Sequence, residues 1–173
     1  MEKKRKIICA IVGRGIADIG NGNSETYYKN IEIKQAILEK VSELIEDGVT
    51  DFLLSAEYGF PMWAGEILLG LREVRLQQGL SSFRLHVCMP WEGQASAWAD
   101  DIHERLYAIH SKADTVHIVC SKYRDECYIS CDYFMTAKCH ILLTDEIDNE
   151  AVGYAKLLRS QAKIVVCDSL VQA

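Results

Sequence analysis

Residues 51–66 read Asp-Phe-Leu-Leu-Ser-Ala-Glu-Tyr-Gly-Phe-Pro-Met-Trp-Ala-Gly-Glu, and this stretch decides the fold. It opens as an apolar run that ends at Ser55, and a tight turn through residues 57–59 follows. Pro61 then stands where a helix can begin, because the first helical position does not need an N–H. A strand that turns directly into a helix is typical of open α/β sheets, where the helix N-terminus suits a phosphate or carboxylate. Many such turns bind no ligand, so that alternative stays open.

The rest of the chain repeats this alternation of strand-length apolar runs and helical patterns. The predicted strands are residues 6–13, 51–55, 83–89, 115–120, 139–143 and 163–167. The predicted helices are residues 27–47, 61–78, 93–113, 128–137 and 149–160, with a Gly- and Asn-rich loop over residues 14–24. Ser24 or Thr26 is expected to cap the first helix, and Pro90 to stop the third strand. This order predicts an α/β fold: a single Rossmann-like three-layer domain with a mostly parallel sheet and helices on both faces, over residues 1–173.

The composition of the chain limits the kinds of function that it can have. The chain has 173 residues, of which 49% are apolar, and a formal net charge of −6, which argues against a nucleic-acid surface. The basic cluster at residues 3–6 is interpreted as part of a solvated N-terminal arm, residues 1–5. No apolar run approaches the ~20 residues of a membrane-spanning helix, and no signal-peptide pattern is clear. We therefore expect a cytoplasmic protein that does not enter a membrane.

Seven cysteines are present, an odd number without any C-x-x-C pair, and reduced thiols are the simplest interpretation. Several of them crowd into residues 120–140 together with His140. Their spacings fit no familiar zinc pattern, so we predict no metal site.

Two strand ends carry recognisable motifs. The first is Ser55-Ala56-Glu57-Tyr58-Gly59 followed by Trp63-Ala64-Gly65-Glu66, and the second is Pro90-Trp91-Glu92-Gly93-Gln94 followed by Trp98. With Arg105, Tyr107 and the pair Ala113-Asp114, these motifs resemble the YpsA-like family of the SLOG superfamily, which also holds the DprA and LOG proteins. The resemblance covers roughly residues 7–143. It implies a Rossmann-like fold that binds a nucleotide or nucleotide-derived ligand at the strand ends, and some SLOG proteins cleave such ligands.

The chain departs from that family at several places. Ala56 replaces a usual glycine, Pro61 replaces an acidic residue, and Cys131-Asp132 stands where relatives carry Arg-Asn. The first strand ends in Gly13-Arg14-Gly15 rather than a Gly-aromatic-Arg or Gly-His-Arg signature, and a late Gly-Gly-Thr is absent. These departures remove parts of the usual phosphate cradle, so a changed ligand, or none, stays open.

The candidate site residues follow from the strand ends. The predicted ligand-binding residues are Gly13, Arg14, Ser55, Tyr58, Gly59, Pro90, Trp91 and Gln94. Arg14 suits bidentate contact with a phosphate, and Trp91 is the preferred stacking residue for a base. Glu57 and Glu92 follow neighbouring strand ends, so we expect them to face one cleft and to act as acid or base if the protein is an enzyme. The alternatives are a solvated turn carboxylate for Glu57 and a helix-start charge for Glu92.

Three functions stay open at this stage. The first is a sensor or regulatory domain that binds a nucleotide or ADP-ribose-like ligand and requires no cofactor. The second is an N-glycosidic hydrolase or transferase acting on a nucleoside or nucleotide, and the third is a non-catalytic protein-interaction module with a decayed site. The chain lacks the Pro-Gly-Gly-x-Gly-Thr-x-x-Glu setting of LOG enzymes, which favours binding over catalysis. The sequence leaves homo-oligomerisation open.

Overall fold

The computed structural model describes residues 4–20, 24–146, 148–159 and 161–167, within which strands and helices alternate as predicted. The strands are β1 Ile8–Ile11, β2 Asp51–Ser55, β3 Arg84–Trp91, β4 Thr115–Cys120, β5 Ile141–Thr144 and β6 Lys163–Val166. The helices are α1 Ile16–Ile19, α2 Tyr28–Glu46, α3 Phe60–Gln77, α4 Asp100–Lys112, α5 Cys127–Thr136 and α6 Glu150–Leu158. The predicted α/β class is confirmed.

The six strands of the described chain form one sheet in the order β4-β3-β2-β1-β5-β6, and every pairing is parallel. The chain moves outward from β1 through β2 and β3 to β4, and then returns to the other side of β1 with β5. The connections that follow β1 and β5 therefore leave toward opposite faces of the sheet. A crevice opens between them at the carboxyl edge, and such a switch point is where open α/β sheets bind ligands.

Two hydrophobic cores, one on each face, make the domain three layers thick. Side chains alternate along β1: Cys9 and Ile11 pack with α2, α3 and α4, whereas Ala10 and Val12 pack with α5 and α6. The period of two follows from the pleat of a strand. Because both faces are covered, β1 and the middle of β2 are apolar on both faces, as the sequence indicates.

Several predicted boundaries are wrong. The loop predicted over residues 14–24 contains the short helix α1, although residues 21–23 lie outside the described residues. Neither Ser24 nor Thr26 caps α2, which begins after Tyr27 without any side-chain cap. The predicted end of the last helix, Ser160, also lies outside the described residues.

The segment around Pro90 departs most from the prediction. Pro90 does not stop β3, which continues to Trp91. The pairing of β3 with β2 ends at Cys88. On the other side, Met89 and Trp91 pair with β4, and Pro90 between them has no partner there. The sheet therefore loses no hydrogen bond through the missing N–H of Pro90. Residues 92–98 then form turns, and α4 begins at Asp100 rather than at Gly93. Among the residues that the structure describes, no helix has both the length and the apolarity to cross a membrane.

Candidate functional site

An acidic cavity of about 530 Å³ occupies the switch point at the carboxyl edge of the sheet. Its walls come from the end of β1, the turn after β2, the segment after β5, and α5. The lining residues are Val12, Gly13, Arg14, Gly15, Asp18, Glu57, Asp132, Glu146, Asp148, Asn149 and Glu150. Six of them are carboxylates and one is an arginine, so the cavity is strongly acidic. We refer to it below as the acidic cavity.

Glu57 and Asp132 are the two carboxylates whose ionisation the cavity changes most. Burial raises the pKa of Glu57 to about 7, and the charges of Asp132 and Asp18 add to the effect. Burial, followed by the charge of Glu150, raises the pKa of Asp132 to about 6. No side-chain hydrogen bond or ion pair from the described residues reaches either carboxylate, so nothing in this part of the chain offsets their desolvation.

Arg14 lies in the wall of the acidic cavity, but its charge is already engaged. Its Nε donates to Asp145 Oδ2 at 2.8 Å and lies 3.1 Å from Glu146 Oε2, and its backbone amide donates to Asp145 Oδ1 at 3.1 Å. Asp145 is buried directly after β5. The Nε of Arg14 is thus engaged by two carboxylates rather than free for a phosphate. Arg14 instead ties the segment after β1 to the segment after β5.

The turn after β2 packs tightly against the segment after β1. Gly59 has φ 141° and ψ −133°, and a β-carbon on it would lie 2.6 Å from the Ile16 amide nitrogen. The Ile16 amide donates to the Tyr58 carbonyl at 2.7 Å, and Gly15 forms a β-bridge with Gly59. Gly13 is equally confined, because a β-carbon there would meet the Phe60 ring at 2.3 Å. These glycines bring the two backbones together and place Glu57 at the cavity.

Tyr58 points away from the acidic cavity into an ionic cluster. Its hydroxyl donates to Glu25 Oε1 at 2.8 Å, and Arg105 contacts both Glu25 and Glu66. Burial opposes ionisation of Glu25, but the bonds from Arg105, Lys34 and Tyr58 outweigh it and lower its pKa to about 2. Glu25 lies outside the quoted motifs, and no local signal in the sequence marks it as the partner of Arg105.

A second cavity, of about 380 Å³, lies beside Tyr58. It is bounded by Ile16, Trp98 and the start of α4 and is more apolar than the acidic cavity. Trp98 packs on the larger core, and Trp63 is fully buried within it.

The segment of residues 90–94 does not reach the acidic cavity. Pro90 is buried in β3, the Trp91 ring packs edge-on against Tyr123 at 5.5 Å between centroids, and Gln94 is buried. Glu92 is exposed and lines a separate cavity of about 260 Å³ against α4. Glu57 and Glu92 line different cavities, so the prediction of one shared cleft is wrong, because residues 92–98 turn toward α4.

Of the predicted ligand-binding residues, Gly13 and Arg14 line the acidic cavity, together with Glu57. Ser55 is buried at the end of β2, and Gly59 serves the backbone packing described above. The sequence reasoning missed Asp132 as a site residue, since α5 brings it in from a distant part of the chain. Glu146, Asp148 and Glu150 were also missed, although the end of the fifth strand was marked as a place where ligands bind.

Another cavity, of about 460 Å³, opens at the opposite edge of the sheet. It includes Arg5, His140 and Arg159 and lies where the strands begin rather than end. Ligands of this fold class bind at the carboxyl ends, so the acidic cavity is the stronger candidate. In the described part of the chain, no group of three or more His, Cys, Asp or Glu side chains is placed to hold a metal ion.

Comparison with known proteins places the chain in a family. A family model named YpsA, described as the YspA SLOG family, matches residues 19–164, which is most of the chain. The chain belongs to this YpsA family. The resemblance in the strand-end motifs is thereby confirmed.

The relatives that this chain matches have names that state no function. The chain is 32% identical to a UPF0398 protein of Halalkalibacterium halodurans over 84 residues, which is 49% of this chain and 42% of that protein. It is 29% identical to a UPF0398 protein of Bacillus thuringiensis over 133 residues, which is 76% of this chain and 69% of that protein. A UPF0398 protein of Bacillus cereus matches to the same extent. The chain thus spans less than half the length of the Halalkalibacterium relative.

Proposed function

We propose that this YpsA family domain binds a nucleotide-derived ligand and that its acidic cavity takes the nucleoside part. The observation that carries the proposal is the pair of unpartnered carboxylates, Glu57 and Asp132, that line one cavity at the switch point of the sheet. A volume of about 530 Å³ falls within the usual range for small-molecule sites. Binding would give these half-buried carboxylates the hydrogen-bond partners that the described chain does not supply.

The charge of the cavity favours hydroxyl and amine groups over phosphate. Carboxylates accept hydrogen bonds, and a ribose diol or an exocyclic amine supplies the matching donors. Glu57, with a pKa of about 7, also carries a proton in a large fraction of molecules at neutral pH and can then donate to a carbonyl or ring nitrogen. Arg14 is paired with Asp145 and Glu146, so a phosphate in this cavity would face mainly negative charge. A phosphate of the ligand is therefore expected to lie outside the cavity.

The test is a thermal-shift titration with nucleosides, the matching mono- and triphosphates, NAD and ADP-ribose. A ligand that binds only the folded chain stabilises it by about 2.7 kcal/mol at a hundredfold excess over its Kd. We expect a nucleoside to raise Tm at least as much as its phosphorylated forms, and Glu57→Gln and Asp132→Asn to reduce that shift. Glu92→Gln is the matched control, because this exposed carboxylate lines another cavity, and it should leave the shift unchanged. No shift across the panel would overturn the proposal and favour a protein-interaction module.

A second function, N-glycosidic hydrolysis, is favoured by the two raised pKa values. At pH 7 a protonated Glu57 suits the role of general acid for the departing base, and an ionised Asp132 suits the role of general base for water. In that reaction the base leaves with the proton of Glu57, and the hydroxide derived from water joins the anomeric carbon. Chromatography of bound nucleosides would reveal a released base. Glu57→Gln should then abolish release even at nucleoside concentrations that saturate its weakened binding, and absence of release by the wild type would exclude this function.

The physiological role belongs to the same proposal. We infer a cytoplasmic sensor or regulatory domain whose ligand occupancy, rather than turnover, carries the signal. Burial keeps the pKa of the Cys9, Cys88 and Cys131 thiols well above the ordinary value, and such inert core thiols suit a reducing compartment. Fusion of the chain to a fluorescent protein and imaging of its distribution would test the location.

A further inference from the structure

Two cysteines outside the acidic cavity lie side by side at the carboxyl edge of the sheet. Cys120 is the last residue of β4, and Cys127 is the first residue of α5. Their side chains are 4% and 0% exposed, but the connection that brings them together, residues 121–126, is exposed at every position. A single surface loop therefore separates the pair from solvent.

The loop forms a polar setting around both sulfur atoms. Arg124 Nη2 donates to Cys120 Sγ at 3.6 Å, and the Arg124 amide donates to Cys127 Sγ at 3.1 Å. The Cys127 thiol also lies 3.5 Å from the Lys122 carbonyl oxygen. Both sulfur atoms therefore contact the same residue, Arg124, and the ionisation of each thiol depends on the other. Bond formation between them requires only a local approach of the sulfurs to about 2.05 Å.

The two thiols differ in their readiness to ionise. The neighbouring Cys127 thiol and the guanidinium of Arg124 lower the pKa of Cys120. Burial and the neighbouring Cys120 sulfur raise the pKa of Cys127, whose thiol donates to the Lys122 carbonyl. A cation beside the sulfur and a lowered pKa are features of reactive cysteines, and Cys120 has both beneath one exposed loop.

The remaining cysteines of the neighbourhood lack these features. Burial raises the pKa of Cys88 to about 12, and burial also raises the pKa of Cys131 and Cys139. Cys131 donates to the Cys88 carbonyl within the core on the other side of the sheet from α3. These thiols behave as small apolar side chains and serve as internal references for reactivity.

We propose that Cys120 and Cys127 form an oxidant-reactive dithiol site, which a hydroperoxide converts to a disulfide and a small thiol reduces again. The Cys120 thiolate attacks one oxygen of the peroxide, the O–O bond breaks, and Cys120 becomes a sulfenic acid while hydroxide leaves and is protonated to water. The Cys127 sulfur then attacks the Cys120 sulfur, and the sulfenic hydroxyl departs with the Cys127 proton as a second water. Two thiols are oxidised and one hydroperoxide is reduced, and two thiol equivalents reverse the change.

Trp91 provides an intrinsic reporter of this site. It is the register partner of Cys120 across β3 and β4, and its ring packs against Tyr123 in the loop between the cysteines. Movement of that loop during disulfide formation changes the surroundings of the indole. We expect a reversible change in tryptophan fluorescence when hydrogen peroxide and then dithiothreitol are added.

The experiment treats the full chain with hydrogen peroxide, blocks residual thiols with an alkylating reagent and maps the peptides without reduction. Trypsin cleaves after Lys122 and Arg124, so Cys120 and Cys127 fall in different peptides. The expected product is a cross-linked pair of these peptides that is lost on reduction. Because the peptide of residues 125–138 also contains Cys131, fragmentation of the pair must place the bond on Cys127 and the alkyl group on Cys131. Cys88 and Cys139 should stay alkylated under the same treatment.

Two variants distinguish the site from general oxidation. In Cys127→Ser, Cys120 should stop at the sulfenic acid, which dimedone traps, and the cross-link should disappear. Arg124→Gln should slow the reaction of Cys120, whereas Arg124→Lys should slow it less. A cross-link from Cys120 to Cys131 in the wild type, or oxidation of Cys120 no faster than that of Cys88, would overturn the proposal. The non-reduced peptide map of the wild-type protein tests the proposal without either variant, so the test does not depend on whether a variant folds.

Discussion

Arg14 and Asp145 join the two sides of the switch point through two hydrogen bonds, one from the Arg14 side chain at 2.8 Å and one from its backbone amide at 3.1 Å. Asp145 follows β5, and Arg14 follows β1, so the contact fixes the mouth of the acidic cavity. The buried side chain of Asp145 receives both bonds on different oxygens. The same contact holds the Arg14 Nε against Asp145.

Asp145→Asn should therefore destabilise the fold. The substitution keeps one acceptor but removes the charge that the Arg14 guanidinium faces, and we expect a loss of about 1–2 kcal/mol in the free energy of unfolding. Asp148→Asn is the matched control, because Asp148 is an exposed carboxylate of the same cavity, and its effect should stay within about 0.5 kcal/mol. Urea denaturation measures both, and equal effects of the two substitutions would contradict the assignment.

Glu57→Gln should stabilise the protein at alkaline pH. The pKa of Glu57 is raised to about 7 in the folded chain, so the folded state binds the proton more tightly than the unfolded state does. The stability that this proton contributes is complete below the unfolded pKa and is lost as the pH rises through about 7. At about 1.4 kcal/mol per pKa unit, the variant should gain up to about 3 kcal/mol at pH 8 relative to wild type, and close to nothing at pH 4.

The measurement for Glu57 is a series of urea unfolding curves between pH 4 and pH 8. Glu92→Gln, which removes an exposed carboxylate, should run parallel to the wild type across the range. A gain for Glu57→Gln that is independent of pH would point to packing rather than ionisation.

Arg105→Ala should cost about 2 kcal/mol, because it leaves Glu66 without its cation and Glu25 with Lys34 alone. Arg105 Nε and Nη2 donate to the two oxygens of Glu66 at 2.7 and 2.8 Å, and the same guanidinium holds Glu25. Lys40→Ala, which breaks an exposed pair with Glu43, should change stability by less than about 0.5 kcal/mol. Thermal unfolding of the two variants in low salt compares them, and similar shifts would show that the Arg105 cluster adds no more than a surface pair.

Gly59→Ala should be far more damaging than Gly79→Ala. Both glycines have positive φ, 141° and 69°, but a β-carbon on Gly59 meets backbone atoms at 2.6 and 2.7 Å, whereas one on Gly79 meets nothing within 4 Å. We expect about 1 kcal/mol for Gly79→Ala and clearly more than about 2 kcal/mol for Gly59→Ala. Chemical denaturation measures the loss of stability in each variant. Comparable losses would mean that the backbone of residues 14–16 moves away from Gly59 at little energetic cost.

Much of the fold can be predicted from local sequence patterns. The apolar runs and their turns predicted every strand within a few residues, and β2 and β4 were predicted at their observed bounds. These signals are local: a covered parallel strand must be apolar along its length, and a helix must show one apolar face. The errors fell where local rules compete with tertiary contacts. Pro90 continues β3 because the neighbouring strand does not need its N–H, and residues 92–98 turn instead of starting a helix.

The sequence by itself determined the α/β class, the parallel sheet and the strand ends that surround the acidic cavity, and its motifs carried the family resemblance. Only the tertiary structure decided which side chains meet there. Glu57 and Asp132 are 75 residues apart in numbering and share a cavity because α5 crosses the sheet edge, while Glu92, predicted to join Glu57, faces α4. Likewise, Arg14 was a free cation in the sequence and is a paired one in the fold. Local patterns depend on neighbours along the chain, whereas charge partners and burial depend on residues that only folding brings together.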